Sequence, residues 1–297
     1  MDIRTTDALG VAHVLDLGSI EDRLLVCGGA YSNLEALNAL MDAAGRLSIP
    51  HSRIIHTGDA VAYCADPAAA TKLLRDSGVH CIQGNVEESL SASLPDCGCG
   101  FDENSLCDRL AAEWFAFADA RMDDDLRRWM GGLPHQLTFR FAGKRVRVVH
   151  GAATSINRFM FESLPDADFV AEMTCADADL VIAGHSGIPF TRRVGAGIWH
   201  NSGPLGLPAN DGTPRAWFSV LTPEGTSIRI EHYGLDYDHR SANTKMTAEG
   251  VCKEYAACLL SGLWPSLDIL PEKERAATGK AIELDQEFTW EVAVTAA

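Results

Sequence analysis

The chain has 297 residues, of which 46% are hydrophobic and 22% are charged. This is the composition of a folded globular protein, with one large domain or one domain and a small appendage. It excludes a disulfide-stapled miniprotein. The 41 acidic residues outnumber the 25 lysines and arginines and give a formal net charge of -16. Because such a surface repels polyanions, we expect the protein to bind no nucleic acid.

The same sequence predicts a cytoplasmic protein without a membrane partner. It contains no apolar run long enough to span a bilayer. Residues 1–23 mix acidic residues into their apolar ones and lack the basic and apolar blocks of a signal peptide. The nine cysteines are an odd number in a chain large enough not to need disulfides, which indicates a reducing compartment. A homo-oligomer is compatible with all of these features.

The first half of the chain alternates short apolar runs with helical stretches. We predict buried strands at 24–27, 54–57 and 79–83. A helix follows the first strand after Asn33, and Asp66-Pro67 provides an N-cap and a first-turn proline for the next helix. This β-α-β-α-β order predicts a sheet with crossover helices.

Residues 95–132 interrupt this order, and we interpret them as an inserted helical segment that begins with a loop containing Cys97 and Cys99. The sequence beyond them is rich in predicted strands, at 136–141, 145–149, 180–183, 190–194, 198–201, 216–221 and 227–232. Beyond about residue 240 the apolar residues return to helical spacing, and a second short helix is predicted at 271–283. We therefore expect a main domain over 1–235 and a C-terminal helical extension over 236–297, packed on it.

Four predicted strands end in a polar residue that can bind a metal ion. They are followed by Asp59, Asn85, His150 and His185. Side chains at the carboxyl ends of strands can converge on one crevice although they are distant in sequence. One carboxylate, one amide oxygen and two imidazoles suit Mn, Fe, Zn, Co or Ni. Each residue alone also fits an ordinary turn or a structural histidine, so the prediction of a metal site depends on the four together.

The order of these motifs resembles that of the calcineurin-like metallophosphoesterases. The matching stretches are GGAYSNLEAL at 28–37, GDAVAYCADP at 58–67, GNVEE at 84–88, VVHG at 148–151 and GHSGIPF at 184–190. A looser match is HNSGPLG at 200–206. The resemblance spans roughly residues 22–235. It implies an α/β (α+β) fold, a double β-sandwich flanked by helices, with a dinuclear metal centre that hydrolyses phosphate monoesters or diesters.

The chain departs from the family pattern at four positions. Gly29 and Tyr31 replace the aspartate and histidine of the first motif, and Gly187 replaces the last histidine of the final motif. Val86 replaces the histidine of the family's GNH motif. The resemblance then retains only the second-metal set, in which Asp59 is the bridging ligand and Asp59 and His185 are the candidate catalytic residues. It therefore favours one divalent transition metal ion over two.

Several residues are candidates for a rebuilt first site or for the surrounding cleft. They are Tyr31, Asn33, Cys64, Glu87 and His200. Tyr31 can bind a ferric ion as a phenolate, and His200 lies in the loosely matching turn. Glu87 is either a substitute acid for the missing histidine or an acid that complements the N-terminus of a helix. Buried cysteine is usually a small apolar residue, which is the alternative for Cys64.

Two further groups have open interpretations. Cys97, Cys99 and Cys107 can form a structural zinc site, a disulfide or redox pair, or free thiols in an ordered loop that covers the cleft. Arg158 and Arg192 are candidate phosphate contacts, although exposed arginines that only solvate the protein are common.

The sequence therefore predicts a divergent metal-dependent phosphoesterase that hydrolyses a small phosphorylated molecule with a metal-activated water. One alternative is a catalytically silent metal- or ligand-binding protein on the same fold. The other is a mononuclear iron or manganese enzyme with non-phosphatase chemistry. The four departures at Gly29, Tyr31, Val86 and Gly187 motivate both alternatives.

Overall fold

The computed structural model describes residues 13–283 and 287–290. In these residues two six-stranded mixed sheets pack face to face and carry helices on their outer faces. The predicted α/β double sandwich is confirmed. Residues 1–12, 284–286 and 291–297 lie outside the described residues. They include part of the segment 1–23 that was compared with a signal peptide and part of the predicted C-terminal extension.

Sheet I is formed mostly by the middle of the chain. Its strands are β1 (Val14–Ile20), β5 (Gln136–Phe141), β6 (Lys144–Val148), β7 (Leu180–Ala183), β8 (Phe190–Val194) and β9 (Gly197–Asn201). They lie in the order β1-β5-β6-β7-β9-β8. The β6, β7 and β9 strands are parallel to one another, so their carboxyl ends lie at the same edge of the sheet.

Sheet II combines the start and the end of the described chain. Its strands are β2 (Leu24–Cys27), β3 (Ile54–His56), β4 (His80–Cys81), β10 (Ala216–Glu224), β11 (Ser227–Leu235) and β12 (Glu287–Trp290). They lie in the order β12-β11-β10-β2-β3-β4, with β2, β3 and β4 parallel.

The helices cover the outer faces of the sandwich. They are α1 (Leu34–Arg46), α2 (Pro67–Ser77), α3 (Asn85–Ser91), α4 (Leu106–Asp119), α5 (Asp124–Gly131), α6 (Asp166–Ala176), α7 (His239–Glu249), α8 (Lys253–Ser261) and α9 (Glu272–Ala276). Local capping sets several of their starts. The Asn33 side chain accepts a hydrogen bond from the Ala36 amide at 3.1 Å, and Ser105 accepts one from the Asp108 amide at 3.1 Å.

Alternation along the strands builds the core between the sheets. In β5, Leu137, Phe139 and Phe141 point inward and are almost fully buried, and they pack in one cluster with Leu24 and Val26 of sheet II. All four residues of β7 are buried because the second sheet covers one face and α6 covers the other. The contacts with sheet II and with α6 hold β7 in position. The candidate ligand His185 follows this strand.

The structure adds three elements that the sequence did not predict, namely β1, β12 and α6. The α6 helix has its apolar residues Phe169, Met173 and Ala176 at helical spacing, a signal hidden among acidic residues. The strand predicted at 79–83 forms ladder pairs only at His80–Cys81. The helix predicted at 271–283 ends at Ala276, and the chain later returns to sheet II as β12.

None of the helices within residues 13–283 has both the length and the hydrophobicity needed to span a bilayer. The cytoplasmic location stays a prediction of the sequence.

Candidate metal centre

Both sheets contribute to the candidate site, at the edge where the parallel strands end. In sheet II, Asp59 follows β3 and Asn85 follows β4; in sheet I, His150 follows β6 and His185 follows β7. The predicted convergence of these four residues is present in the structure, and Asp59, His150 and His185 form a group that can hold a metal ion. The two halves of the site thus come from opposite layers of the sandwich.

The Nε2 atom of His150 lies at the centre of the group. It is 3.0 Å from Oδ1 of Asn85, 3.1 Å from Nδ1 of His185 and 3.2 Å from Oδ2 of Asp59. All four side chains are buried or nearly so. The Nε2 atom of His150 is therefore surrounded by an amide oxygen, a ring nitrogen and a carboxylate oxygen, which can each provide a lone pair to a metal ion.

Hydrogen bonds on the far side of two ligands set which atoms face the centre. Nδ1 of His150 donates to the carbonyl oxygen of Thr57 at 2.7 Å, so the other ring nitrogen points its lone pair inward. The amide nitrogen of Asn85 donates to the carbonyl oxygen of Cys97 at 2.8 Å, which turns its oxygen inward. Metal-binding imidazoles are usually held in this way by a carbonyl or carboxylate.

The pKa shifts of the two histidines fit a cation at this centre. Burial opposes a charge on His150, but the adjacent Asp59 carboxylate outweighs it and raises the pKa of His150. Burial, with His150 nearby, lowers the pKa of His185 to about 3. In the absence of a metal ion this shift favours a proton on Nε2 of His150, which a metal ion would displace, while the His185 ring stays neutral, the form that binds metals. The donor set and its electrostatics fit a divalent metal ion.

The turns that carry the ligands need glycine because the chain segments approach closely. A Cβ atom on Gly84 would lie 2.3 Å from Oδ1 of Asp59, and one on Gly58 would lie 2.7 Å from Nδ1 of His150. Two ligands themselves have left-handed backbone conformations, Asp59 with φ of 60° and His185 with φ of 56°. Such strain is typical of functional sites.

Glu87 holds the Asp59 turn. Its carboxylate accepts hydrogen bonds at 2.8 Å from the amides of Asp59, Ala60 and Gly84, and the residue is completely buried. Burial and the nearby Asp59 charge raise the pKa of Glu87 to about 7. These contacts agree with the interpretation of Glu87 as an acid at the N-terminus of α3, and Glu87 does not line the pocket beside the site.

Aromatic rings fill two of the positions where the sequence departs from the pattern it resembles. A Cβ atom on Gly29 would lie 2.2 Å from Cε1 of Tyr31, so the Tyr31 ring occupies the space of a side chain at position 29. A Cβ atom on Gly187 would lie 3.1 Å from the indole ring of Trp264. Burial and the Asp59 and Glu87 charges raise the pKa of Tyr31, which favours the neutral phenol.

The contact between positions 29 and 31 makes a specific prediction about stability. We expect Gly29→Ala to lower the free energy of unfolding by about 1–3 kcal/mol, because the Tyr31 ring must move. In the Tyr31→Ala background the ring is absent, so the same change should cost much less. The double-mutant cycle is measured by chemical denaturation, and additive effects would contradict the packing described here.

An open pocket lies beside the centre. Asp59 and His185 are among the residues that line it. Six aromatic residues line it: Tyr31, Tyr63, Phe101, Phe159, Tyr255 and Trp264. Phe101 comes from the predicted inserted segment, and Tyr255 and Trp264 come from the predicted C-terminal extension. The sequence did not single out Tyr63, Phe101, Phe159 or Trp264, because no local pattern distinguishes them from core aromatics.

The structure places other predicted residues away from this pocket. Asn33 caps α1 and donates to the carbonyl oxygen of Gly206 at 2.8 Å. Cys64 is a buried thiol near the same carbonyl oxygen. Arg158 is paired with Asp168 and Glu172, and Arg192 with Asp166. None of the four residues lines the pocket, so the structure does not bring either candidate arginine to the site.

His200 lies in the interior of the sandwich and not in the pocket. Its ring bridges Thr191 Oγ1 at 2.9 Å and Ser219 Oγ at 2.7 Å, and so joins β8 and β9 of sheet I to β10 of sheet II. Burial, with His232 nearby, lowers the pKa of His200 well below its usual value. The folded protein therefore keeps this ring neutral at pH values at which the unfolded chain protonates it.

The pH dependence of stability should report this buried ring. Below the unfolded pKa of about 6.5 the unfolded chain binds a proton that the folded protein does not, so His200 lowers the stability as the pH falls. We expect the free energy of unfolding of His200→Gln to depend less steeply on pH than that of the wild type, by up to about 1.4 kcal/mol per pH unit below pH 6. Denaturant titrations at pH 7, 6 and 5 measure this difference. Parallel curves for the two proteins would contradict it.

Cysteines support the site from the side of the predicted inserted segment. Cys97 and Cys99 form a disulfide, whereas Cys107 is a free buried thiol. Of the three interpretations of this group, a disulfide pair therefore describes Cys97 and Cys99. The sulfur of Cys99 lies 3.4 Å from the amide nitrogen of Asn85, and both Cys99 and Cys107 line the pocket. The loop thus orients a ligand and forms part of the pocket wall, as the predicted covering loop would.

Comparisons with known proteins agree with this geometry. The profile of the calcineurin-like phosphoesterase superfamily domain matches residues 16–225. The chain is 23% identical over 244 residues to an uncharacterized protein, MJ0912, of Methanocaldococcus jannaschii, which covers 76% of this chain and 93% of that protein.

Two solved structures share the fold. A metallophosphoesterase from Sphaerobacter thermophilus aligns with a TM-score of 0.64 at 20% identity, covering 82% of this chain and 100% of that chain. The hypothetical protein PH1004 from Pyrococcus horikoshii OT3 aligns with a TM-score of 0.69 at 15% identity and the same coverage of both chains.

Proposed function

Because this chain belongs to the calcineurin-like phosphoesterase superfamily, we propose that it is a hydrolase that cleaves a phosphoester at a single divalent transition metal ion. The observation that carries the proposal is the arrangement of Asp59, Asn85 and His185 around the inward-facing nitrogen of His150. The bound ion would be Mn, Fe, Zn, Co or Ni, since the donors are mixed oxygen and nitrogen atoms. It supplies a Lewis acid for the phosphoryl group and lowers the pKa of water to about 7.

A single ion is supported by what surrounds the four ligands. The Tyr31 ring fills the space beside Gly29, and Trp264 lies over Gly187. Aromatic rings thus cover positions 29 and 187, where the metallophosphoesterase pattern has an aspartate and a histidine. No second group of metal ligands adjoins Asp59 in the part of the chain that the structure describes.

The residues of the site have separate tasks in this proposal. Asp59 and His185 line the pocket, and in this proposal they orient the attacking water. The Thr57 carbonyl oxygen keeps the proton of His150 on Nδ1, so the ring acts only through its other nitrogen. Glu87 keeps the Asp59 turn in its strained conformation. The side chain of Val86 cannot donate a proton to a departing alkoxide.

Val86 is the reason to expect a preference for good leaving groups. Its main-chain amide donates to Oδ1 of Asp59 at 3.3 Å, but its side chain carries no proton. A missing general acid typically costs about 10²–10⁴-fold in rate when the leaving group is poor. The 4-nitrophenolate ion leaves without being protonated, so esters of 4-nitrophenol are the appropriate first substrates.

The test is hydrolysis of 4-nitrophenyl phosphate and bis(4-nitrophenyl) phosphate by protein loaded in turn with each candidate metal. We expect release of 4-nitrophenol that a chelator stops and that Asp59→Asn abolishes. Alkyl esters should react at least about 100-fold more slowly. The matched control is Asp96→Asn, which changes an exposed aspartate in the adjacent loop. Metal-loaded protein that releases no 4-nitrophenol from either ester would contradict the proposal.

A second candidate is a silent protein that binds a metal and a ligand without turnover. The apolar side chain of Val86 and the ring of Tyr31 favour it, because both remove chemistry from the site while leaving the four ligands in place. Metal content that is lost in Asp59→Asn, together with no hydrolysis of any ester, would select this candidate.

A further inference from the structure

We infer that the pocket beside the metal centre is a binding subsite for a planar ring, and that its substrate class is a phosphodiester carrying an aromatic group. The inference rests on the proposed function, because it names the substrate of the same site. It comes from the composition of the pocket walls, from their charge and from the position of the rings relative to the ligands.

The walls of the pocket are rich in aromatic rings. Tyr63, Phe101, Phe159 and Trp264 are only partly buried, and all four line the pocket. They come from four separate segments of the chain, so the cluster is not the surface of one amphipathic helix. Rings that line an open pocket beside the candidate metal centre provide the apolar contact area that aromatic ligands require.

Two of these rings lie next to the ligands of the metal. Phe159 stacks on the His185 ring with 4.2 Å between the ring centres. Trp264 lies over Gly187, two residues beyond His185 in sequence, and its indole nitrogen donates to the Pro208 carbonyl oxygen at 2.7 Å. The hydrogen bond fixes the indole plane. A phosphate bound at the centre would therefore lie beside aromatic rings of the pocket wall.

The charge of the pocket selects a monoanion. Among the described residues that line it, Asp59 carries a negative charge and none is a lysine or an arginine. The carboxylates of Asp59 and of the adjacent Glu87 would already balance a divalent ion, so a phosphodiester adds one uncompensated negative charge and a phosphomonoester dianion adds two. The second negative charge of the monoester would lie in an apolar pocket without a cationic partner, which is costly. Arg158 and Arg192 do not compensate because their guanidinium groups are paired with carboxylates elsewhere.

Binding measurements on manganese-loaded protein test the subsite without depending on catalysis. The probes are diphenyl phosphate, dimethyl phosphate and phenyl phosphate, which vary the ring and the charge separately. The variants are Trp264→Ala and Trp264→Phe, with Trp129→Ala as the matched control. Trp129 is also partly buried, but it lies on α5 and does not line the pocket.

We expect diphenyl phosphate to bind at least about tenfold more tightly than either other probe, since a stacked ring contributes strongly to affinity. Trp264→Ala should weaken diphenyl phosphate by about tenfold and leave dimethyl phosphate unchanged, Trp264→Phe should restore most of the affinity, and Trp129→Ala should have no effect. If Trp264→Ala does not fold, Phe101→Ala makes the same test with another ring that lines the pocket. Equal affinities for the diphenyl and dimethyl esters, or equal effects of Trp264→Ala and Trp129→Ala, would overturn the inference.

The hydrolysis assay separates the two proposals. Tight, Trp264-dependent binding of diphenyl phosphate without turnover of any ester supports the ring subsite and contradicts the phosphoesterase. Turnover with equal affinity for ring-bearing and ring-free diesters supports the phosphoesterase and overturns the ring subsite.

Discussion

His150→Ala is expected to lose the metal ion that we propose for the wild-type protein. His150 provides the nitrogen on which the other three candidate ligands converge. The Thr57 carbonyl oxygen holds the ring in this position by accepting a hydrogen bond from its Nδ1 atom. Removing an outer partner of a ligand typically costs about 10–100-fold in metal affinity, so we expect removal of the ligand itself to cost at least about 100-fold.

The same variant should lose the stabilisation that the metal confers. An ion at about 1,000 times its dissociation constant adds about 4 kcal/mol to the free energy of unfolding. In a protein of this size that raises the melting temperature by roughly 8 °C. Mass spectrometric metal analysis and thermal unfolding with and without Mn²⁺ measure the two effects. His51→Ala is the control, since His51 is a partly exposed histidine outside the pocket. Metal content that is unchanged in His150→Ala would exclude the proposed centre.

Glu87→Ala is expected to have the largest effect on stability among the single changes considered. The carboxylate is fully buried and accepts hydrogen bonds from four main-chain amides, those of Asp59, Ala60, Val61 and Gly84. Alanine would leave these buried donors without partners, and each unsatisfied donor costs about 1–3 kcal/mol. We expect a loss of about 3–5 kcal/mol in the free energy of unfolding, together with weaker metal binding because the Asp59 turn is released.

The neighbouring residue provides the control for this prediction. Glu88 is exposed on the same helix turn, so Glu88→Ala changes the charge near α3 equally but breaks no buried contact. We expect a change within about 0.5 kcal/mol for it. Denaturant unfolding of the metal-free proteins separates the two variants. Similar stabilities for Glu87→Ala and Glu88→Ala would show that the Glu87 carboxylate does not stabilise the turn that contains Asp59.

The grouping of the candidate ligands could be predicted from the sequence because each one comes shortly after an apolar strand. Asp59 and Asn85 come after a glycine at a strand end, and His150 and His185 end runs of buried residues. Strand polarity then places them at one edge without any knowledge of distant contacts. The structure adds that the two sheets each provide two of them, which no local pattern contains.

The pocket walls could not be predicted in the same way. Trp264 reaches Gly187 from a segment far along the chain, and Phe159 acquires its role only by stacking on His185. In the sequence both resemble ordinary core aromatics, since periodicity reports which residues are buried but not which partner they contact. Glu87 shows the opposite case. Its position in the first turn of α3 indicated one of its two interpretations, and its contacts agree with that one.

The fit between Gly29 and Tyr31 also bears on how the site can change over generations. A mutation that adds a side chain at position 29 while Tyr31 is present places a new atom against the ring. A mutation that first removes the ring leaves an empty space beside the ligands, which is itself destabilising. Each single step is therefore unfavourable, although the two together are compatible. If the proposed single-metal site is correct, this packing opposes the stepwise recovery of a side chain at position 29 that could bind a second ion.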